Sequence, residues 1–424
     1  MTSITKQSYL QKILKSISFQ HKGFRQFAER YLQNLSTSSL KRLKPSDIKT
    51  LLNEGWLFLQ SWTHATPKIS IQNISSLEPS MERGTVIQLL LNNLPFVTDS
   101  ISTEIRRQGY DVNFVLRGTF NITRENGVLT NLQTNMNGQS NEMLLHIELR
   151  QQLDLASLEL LEKDLLSIAE DIQLAVDDFL SMTTVLAEVK SKLLTASKPD
   201  EAAFLKWLSN DHFIFLGVIE NINGTPSHPL GVLKQTEAYA GLLNELKTTA
   251  NKSVPSLWIH KPSFTSKIDR NEPLDIVRIT LDNGKEVSFV GILTYAAKSI
   301  SFDQIPYISN KLPEIIGHVE LQDESLDPRE ITIAINHLPL VEMINLSIDE
   351  IANICKGILT HQSKYIALVH HRFDPLLNQV SVLVYLHHEK LNDSTRSVIN
   401  RLLVDELESS ILYSEITYID NDLV

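Results

Sequence analysis

Residues 85–109, TVIQLLLNNLPFVTDSISTEIRRQG, decide the fold class of the first half of the chain. They begin with an apolar run of strand length, which Leu94-Pro95 interrupts. Two arginines in the last helical turn and Gly109 then end a helix. Its apolar face is formed by Val97, Ile101 and Ile105. The stretch therefore predicts a strand followed directly by a helix.

The chain continues this plan downstream. Strand patterns return at 112–122 and 142–149, and residues 155–194 have the periodicity of a long helix. The order strand, helix, strand, strand, helix is typical of a ferredoxin-like domain. We therefore predict such a domain over residues 81–198.

Two further segments differ from this plan. Residues 1–80 predict a helical segment, because apolar residues recur there at helical spacing, as at Leu10, Ile13, Leu14 and Ile17. Residues 199–325 predict an α+β module, in which apolar strands meet at the hairpin dipeptide Asn283-Gly284. A helix-flanked antiparallel sheet of this size has a PAS-like outline.

Residues 326–424 repeat the ferredoxin-like plan in full. The predicted elements are a strand at 330–336, a helix at 348–361, a hairpin of strands at 365–371 and 379–386, a helix at 393–407 and a strand at 411–419. The predicted fold class is thus α+β and multidomain. Two ferredoxin-like βαββαβ units flank a PAS-like antiparallel-sheet module, with a helical segment in front.

Composition excludes several classes of function. The net charge is −11 and no block of Lys and Arg occurs, so we expect no nucleic-acid partner. No apolar stretch reaches 18 residues, and the polar start does not resemble a signal peptide, so we expect a cytoplasmic protein without a membrane partner. The single cysteine, Cys355, lies at helical spacing with Ile351 and Ile358 and predicts a core residue.

Glycine spacing argues against a nucleotide site in this segment. The 15 glycines are never closer than seven residues apart. A dinucleotide fingerprint needs glycines two and three residues apart, and a phosphate-binding loop needs two glycines five residues apart. We therefore predict neither NAD nor ATP binding here, and no cofactor in this segment.

Other candidate chemistry is weak. Histidine pairs at 370–371 and 387–388 fall on neighbouring predicted strands, but a turn near 374–378 would place His370 opposite Val382 and separate the pairs by roughly 17–20 Å. We expect no shared metal. Paired carboxylates such as Asp177-Asp178 lie on helices, where solvation explains them, and Lys261 near Ser263 lacks an oxyanion-hole motif. We predict no catalytic residue.

Two stretches are nevertheless distinctive, NLPFVTDS at residues 93–100 and NDHFIFLG at residues 210–217. They resemble the "PFLVDS" and "DDHFTFLGY" stretches of one family, the large bacterial NAD-specific glutamate dehydrogenases. The segment 259–275 is similar to its lysine–serine–arginine–aspartate segment. Residues 291–294, 372–374 and 382–385 complete a colinear set. Thr98, where an aliphatic residue is usual, and Asp269, where His is common, depart from the pattern.

This resemblance implies a much longer parent enzyme, which converts L-glutamate to 2-oxoglutarate and ammonium and transfers a hydride to NAD. It implies ACT-type domains and a PAS-like module in this region, a homotetrameric parent, and tuning by an amino-acid effector. ACT-type units bind small ligands near the first strand–helix turn, where helix N–H groups can hold a carboxylate. The candidate ligand or interface residues are Asn93, Thr98, Asp99, Ser100, Asn336 and His337. Helix capping by Asp99 and Ser100 is the competing interpretation, and we favour it.

Two alternatives remain open beside a regulatory and oligomerisation region. One is a free-standing binding protein that senses amino acids, which we disfavour because the chain stops just past a predicted terminal strand. The other is a structural scaffold that assembles through sheet edges and binds no ligand.

Overall fold

The computed structural model describes residues 6–17, 22–35, 40, 43–64, 66–74, 84–133, 141–222, 224–250, 252, 255–322, 326–361 and 367–416. Contacts divide the chain into two compact units. Unit 1 comprises Met1–Val176 and Lys267–Asn271, and unit 2 comprises Asp177–Ser266 and Glu272–Val424. Both combine helices with antiparallel sheets.

Within the described residues, unit 1 contains a five-stranded sheet and five named helices. The helices are α1 (Lys6–Ser16), α2 (Lys22–Leu32), α3 (Pro45–Leu59), α4 (Val97–Arg107) and α5 (Leu155–Asp177), and the strands are β1 (Lys68–Asn73), β2 (Thr85–Asn92), β3 (Val112–Glu125), β4 (Val128–Gln133) and β5 (Glu142–Leu149). The predicted strand and helix of residues 85–109 are confirmed as β2 and α4. The helical segment predicted over residues 1–80 is shorter than expected. Its last helix is α3, and strand β1 follows within the predicted range.

The strands of unit 1 follow the order β1-β2-β5-β3-β4, and every pairing is antiparallel. Helix α4 joins β2 to β3, and β5 lies between those two strands. In a βαββαβ domain, a fourth strand follows the second helix. In the described part of unit 1 the position beside β2 is held instead by β1, which comes earlier in the chain.

The N-terminal helices share one core with a face of this sheet. Phe27 of α2 stacks on Tyr31 and on Phe120 of β3, with ring centroids 4.9 Å and 5.3 Å apart. The Tyr31 ring lies over Gly118, where any added Cβ would collide with it and would stand 2.7 Å from the Phe120 ring. Helices α2 and α3 therefore belong to the core of the sheet domain rather than to a separate arm.

Unit 2 contains a second five-stranded sheet, a two-stranded sheet and nine named helices within the described residues. The helices are α6 (Phe179–Thr195), α7 (Pro199–Trp207), α8 (Ala240–Thr248), α9 (Tyr295–Ser299), α10 (Leu312–Gln322), α11 (Pro328–Asn336), α12 (Leu340–Asn345), α13 (Ile348–His361) and α14 (Asp393–Leu407), and the strands are β6 (Phe213–Ile222), β7 (Thr225–Gly231), β8 (Leu257–His260), β9 (Asp275–Thr280), β10 (Glu286–Leu293), β11 (Leu368–Asp374) and β12 (Gln379–Tyr385).

The helix predicted over 155–194 is divided into α5 and α6 at Asp178. The Asp178 carboxylate accepts hydrogen bonds from the Gly231 amide at 2.7 Å and from Lys234 Nζ at 2.8 Å. These bonds hold Asp178 to the end of β7, with its backbone at φ −91° and ψ 0°. The sequence pattern missed this break because apolar spacing continues across it.

The larger sheet of unit 2 has the order β7-β6-β10-β9-β8 and is antiparallel throughout. The hairpin predicted at Asn283-Gly284 is confirmed, and Gly284 has the positive φ of +76° that such a turn requires. One face of the sheet is apolar and packs into the main core of unit 2, including Leu257, Val277 and Phe289. The opposite face carries Arg278 and Ser288, directly paired across β9 and β10.

The strand predicted at 330–336 is wrong, because these residues form helix α11. Asp327 caps this helix by accepting a hydrogen bond from the Arg329 amide, and Pro328 occupies its first turn. Ile331, Ala334 and Ile335 are buried, whereas Ile333 is 39% exposed. The alternation of isoleucines resembled a strand, but the capping signal and the helical spacing of the buried residues prevail.

The hairpin predicted in the last hundred residues is confirmed as β11 and β12, with a register one residue from the expected one. His370 pairs with Leu383 and His371 with Val382. Helices α13 and α14 also match the prediction. The final strand is wrong over residues 411–416, which are not in a strand, and residues 417–419 lie outside the described residues. The second βαββαβ unit is therefore not formed as predicted.

Candidate functional site

The junction between β2 and α4 brings the first set of predicted ligand residues together. Phe96 is the N-cap of α4 and has a left-handed backbone with φ of 64°. No side chain caps the helix, so the capping role we favoured for Asp99 and Ser100 is wrong. Asp99 is exposed at the start of the helix. The junction thus differs from an ordinary capped helix end.

Ser100 is buried and uses its hydroxyl for two contacts within unit 1. The hydroxyl donates to the Phe96 carbonyl oxygen and accepts from the Asp269 amide, each at 2.8 Å. Asp269 belongs to the segment Lys267–Asn271, which is part of unit 1 although it falls between β8 and β9 in sequence. This is the segment in which the family motif was recognised. The Ser100 hydroxyl therefore binds the segment Lys267–Asn271 of the same unit.

Asn93 is likewise engaged by its own chain, whereas Thr98 is not. Asn93 Oδ1 accepts from Arg117 Nη2 at 3.0 Å, and the Asn93 amide donates to the Asn141 carbonyl oxygen at 3.0 Å. Thr98 Oγ1 is enclosed and has no hydrogen-bond partner among the described residues. Of the four predicted residues at this junction, Thr98 has an enclosed side-chain oxygen without a partner among the described residues, and Asp99 has an exposed carboxylate.

Asn336 and His337 do not lie at a strand–helix turn. Asn336 is the last residue of α11, and its Oδ1 accepts from the Phe302 amide at 2.8 Å and from Ser301 Oγ at 3.1 Å. His337 is the C-cap of the same helix. Their predicted ligand role depended on a strand–helix turn, but both residues lie at the C-terminal end of a helix.

A buried ion pair that the sequence did not reveal joins β3 to β5. Arg124 donates to both carboxylate oxygens of Glu142, at 2.8 Å and 2.7 Å, and the two side chains are 3% and 0% exposed. The same guanidinium donates to the carbonyl oxygens of Leu59 at 2.8 Å and Gln60 at 3.3 Å. Arg124 thereby gives the Leu59 carbonyl a donor at the C-terminal end of α3, and it shares the Gln60 carbonyl with the Leu129 amide, which donates at 2.9 Å. These bonds tie the helix to the sheet.

In unit 2, the buried Arg278 likewise donates hydrogen bonds to the C-terminal end of a helix. Its guanidinium donates to Thr249 O at 2.8 Å, to Thr249 Oγ1 at 2.7 Å and to Leu246 O at 3.3 Å, at the C-terminal end of α8. Glu286 lies 3.9 Å away and both side chains are buried. Burial lowers the pKa of Arg278, opposed by the charges of Glu286 and Glu245. The polar face of the sheet is thus occupied by a helix cap.

The ring of His260 is buried beside this cap. Its ring stacks on Trp258 at 4.0 Å, and neither ring nitrogen has a partner among the described residues. Burial, and secondarily the charge of Arg278, hold the pKa of His260 well below its usual range. The nearest carboxylate, Glu245, lies 3.9 Å from Nε2, and burial raises its pKa. His260 is therefore held neutral.

Metal and membrane chemistry find no support within the described residues. No group of three or more His, Cys, Asp or Glu side chains there is placed to hold a metal ion. Cys355 is buried, and burial raises the pKa of its thiol to about 12. Every helix in the described ranges is too short or too polar to cross a bilayer.

Comparison with known proteins finds similarity to one family. Residues 27–165 match the model of the glutamate dehydrogenase ACT1 domain. The NAD-specific glutamate dehydrogenase of Pseudomonas aeruginosa is 23% identical over 420 residues, covering 91% of this chain. The chain is similar along most of its length to a part of the NAD-specific glutamate dehydrogenases.

Two other relatives extend the match. The NAD-specific glutamate dehydrogenase of Halomonas elongata is 23% identical over 390 residues, covering 84% of this chain, and that of Mycobacterium tuberculosis is 24% identical over 344 residues, covering 76%. The chain spans about a quarter of the length of these relatives, at 26%, 24% and 21% respectively. The ACT1 match includes α3 and all five strands of unit 1.

Proposed function

We propose that this chain is the regulatory and assembly region of a large NAD-dependent glutamate dehydrogenase. The observation that carries the proposal is the match along 91% of this chain to 26% of the Pseudomonas relative. The parent enzyme would convert L-glutamate, NAD+ and water to 2-oxoglutarate, ammonium and NADH. Because the glycine spacing provides no dinucleotide fingerprint, NAD and the reacting atoms would bind outside this segment.

Exposed apolar surface in unit 2 supports an assembly role. The outward face of β11 and β12 includes Val369 and Phe373, each 55% exposed, and Val380, 39% exposed. Helix α14 has no buried side chain, although Val398 and Leu402 lie one turn apart on it. Two-stranded sheets and single helices are marginal alone, and exposed apolar patches are typical of interaction sites. We propose that other subunits of a homotetramer, or further parts of the same enzyme, cover this surface.

Two measurements test this function. The purified chain should show no turnover of L-glutamate with NAD, and measurable NADH formation would contradict the proposal. Phe373→Asp should lower the sedimentation coefficient of any self-assembled chain, or weaken its binding to the catalytic part added in trans. Leu57→Asp is the matched control, because Leu57 is 69% exposed on α3 in unit 1. If both variants sediment and bind the catalytic part equally, this surface has no assembly role.

Sensing of an amino acid is the second candidate. It is favoured by Thr98 Oγ1 at the start of α4, which is enclosed and has no hydrogen-bond partner in the part of the chain that the structure describes. The N–H groups at a helix start attract a carboxylate. A thermal-shift screen against the twenty amino acids should then find one that stabilises the chain, and Thr98→Val should reduce the shift. If none of the twenty stabilises the chain, the scaffold interpretation replaces sensing.

A further inference from the structure

A groove of about 550 Å³ in unit 1 separates the start of β1 from helix α5. Its strand wall includes Lys68 and Ile69, and Trp62 lines one end. Its helix wall is formed by Glu162, Leu166 and Glu170. Residues four apart lie on one side of a helix, so these three side chains form a single stripe along α5. The groove is thus bounded by a strand on one side and a charged helix stripe on the other.

Among the described strands β1 is at the edge of its sheet, and the residues at its start, Pro67, Lys68 and Ile69, line the groove. The Ile74 amide donates to the Gly84 carbonyl oxygen at 3.2 Å, in the same register that pairs β1 with β2. Hydrogen-bonded and non-bonded pairs alternate in antiparallel sheets. The N–H and C=O groups of Ile69 and Ile71 therefore point away from β2, toward the free edge. Pro67, one step earlier on this edge, has no N–H to offer.

The charge of the groove is negative. The ammonium group of Lys68 donates to the Phe58 and Ser61 carbonyl oxygens, at 2.7 Å and 2.9 Å, so it is held by the chain around α3. Glu162 and Glu170 remain as the carboxylates of the lining, with Leu166 between them. A partner that fits this wall has two positive charges that flank an apolar side chain.

The spacing of the wall fits an extended peptide. Four residues of helix rise by about 6 Å, and two residues of strand rise by about 6.8 Å, so the spacing of side chains at alternate strand positions matches the spacing of the stripe on α5. We propose that the groove binds an extended peptide with the pattern basic–x–apolar–x–basic, added as an extra strand on the edge of β1. Its apolar side chain lies between Ile69 and Leu166, and its basic side chains meet Glu162 and Glu170.

A second copy of this chain fits the groove less well. Antiparallel pairing of two β1 edges would bring the α5 helices of both copies to the same seam. The two copies of Glu162 and Glu170 would then face each other as like charges, which is unfavourable. Charge complementarity therefore selects a basic peptide as the occupant.

The test uses the full chain and two labelled peptides of identical composition, TKTLTKT and TTKKLTT, in a fluorescence anisotropy titration at low salt. The first peptide should bind about five-fold more tightly than the second, as expected for two partly exposed ion pairs. Glu162→Gln together with Glu170→Gln should weaken binding of the first peptide by about five-fold. The matched control, Glu188→Gln together with Glu237→Gln, changes two exposed carboxylates of unit 2 and should leave binding unchanged.

Strand addition has its own readout. Methylation of the leucine N–H in the first peptide should abolish binding, and hydrogen exchange should slow over residues 66–74 when the unmodified peptide is added. Equal affinity of the two peptides, unchanged affinity after loss of Glu162 and Glu170, or protection only elsewhere would each overturn the proposal. The variant without Glu162 and Glu170 could also form dimers more readily than the native chain, and the peptide could dissociate those dimers. That result would assign the edge of β1 to a second copy of the chain and would also overturn the proposal.

Discussion

The ion pair between Arg124 and Glu142 offers the sharpest test of how unit 1 is held together. Arg124→Met removes the guanidinium but keeps much of the apolar stem. It leaves the Glu142 carboxylate, which is 0% exposed, without its bidentate partner. It also removes the donors that bind the carbonyl oxygens of Leu59 and Gln60. Both losses occur at the place where α3 meets β3 and β5.

Breaking a buried ion pair by removing one partner costs about 3–5 kcal/mol. We expect the free energy of unfolding of unit 1 to fall by that amount. A single transition is not well defined for a chain of two units. Hydrogen exchange with mass spectrometry, read over α3 and β5, measures the opening of unit 1 separately. A loss of about 4 kcal/mol corresponds to an increase in exchange rate on the order of a thousand-fold.

The double variant Arg124→Met with Glu142→Leu should recover most of this loss, because no unpaired charge remains buried. Arg25→Met is the control, since the pair of Arg25 with Glu29 is 58% and 36% exposed and contributes only about 0–1 kcal/mol. A loss no greater than that of Arg25→Met, or a double variant less stable than the single one, would refute the reasoning.

Three further outcomes are expected. Gly118→Ala should destabilise unit 1 by about 1–3 kcal/mol in hydrogen exchange over β3, because the new methyl group collides with the rings of Tyr31 and Phe120; a neutral effect would contradict that packing. Because the folded chain holds the pKa of His260 below the value near 6.5 of the unfolded chain, unit 2 should lose stability as the pH falls below about 6.5, and His260→Gln should flatten this dependence in thermal unfolding at a series of pH values. Cys355, whose thiol pKa is raised to about 12, should react with an aromatic disulfide reagent only after denaturation, and a fast reaction of the native chain would place it at the surface.

The sequence could predict elements whose signals are local. The strand and helix of residues 85–109 have an apolar run, a proline break and a glycine end, and the structure forms both. The hairpin at Asn283-Gly284 formed for the same reason. At 330–336 two local signals conflicted, since alternating isoleucines indicate a strand whereas Asp327-Pro328 indicates a helix start. Packing against the core of unit 2 decided in favour of the helix.

Pairings between distant residues could not be predicted from one sequence. Arg124 and Glu142 are 18 residues apart, on neighbouring strands, and nothing in their local pattern distinguishes them from solvated charges. Thr98 and Ser100 were both selected by resemblance. The Ser100 hydroxyl differs in accepting a hydrogen bond from the amide of Asp269, which is 169 residues away in sequence. The hairpin register at His370 was missed by one residue, because it depends on the length of the turn rather than on composition.

The segment Lys267–Asn271 also affects the order in which the chain can fold. Unit 1 otherwise ends at Val176, so its last piece leaves the ribosome only after about 90 more residues have been made. At typical synthesis rates, of about 5–20 residues per second, unit 1 remains incomplete for about 5–20 s after its main part has emerged. During that interval the Ser100 hydroxyl has no Asp269 amide to bind. A gene fragment that stops near residue 176 would therefore encode a permanently unfinished domain.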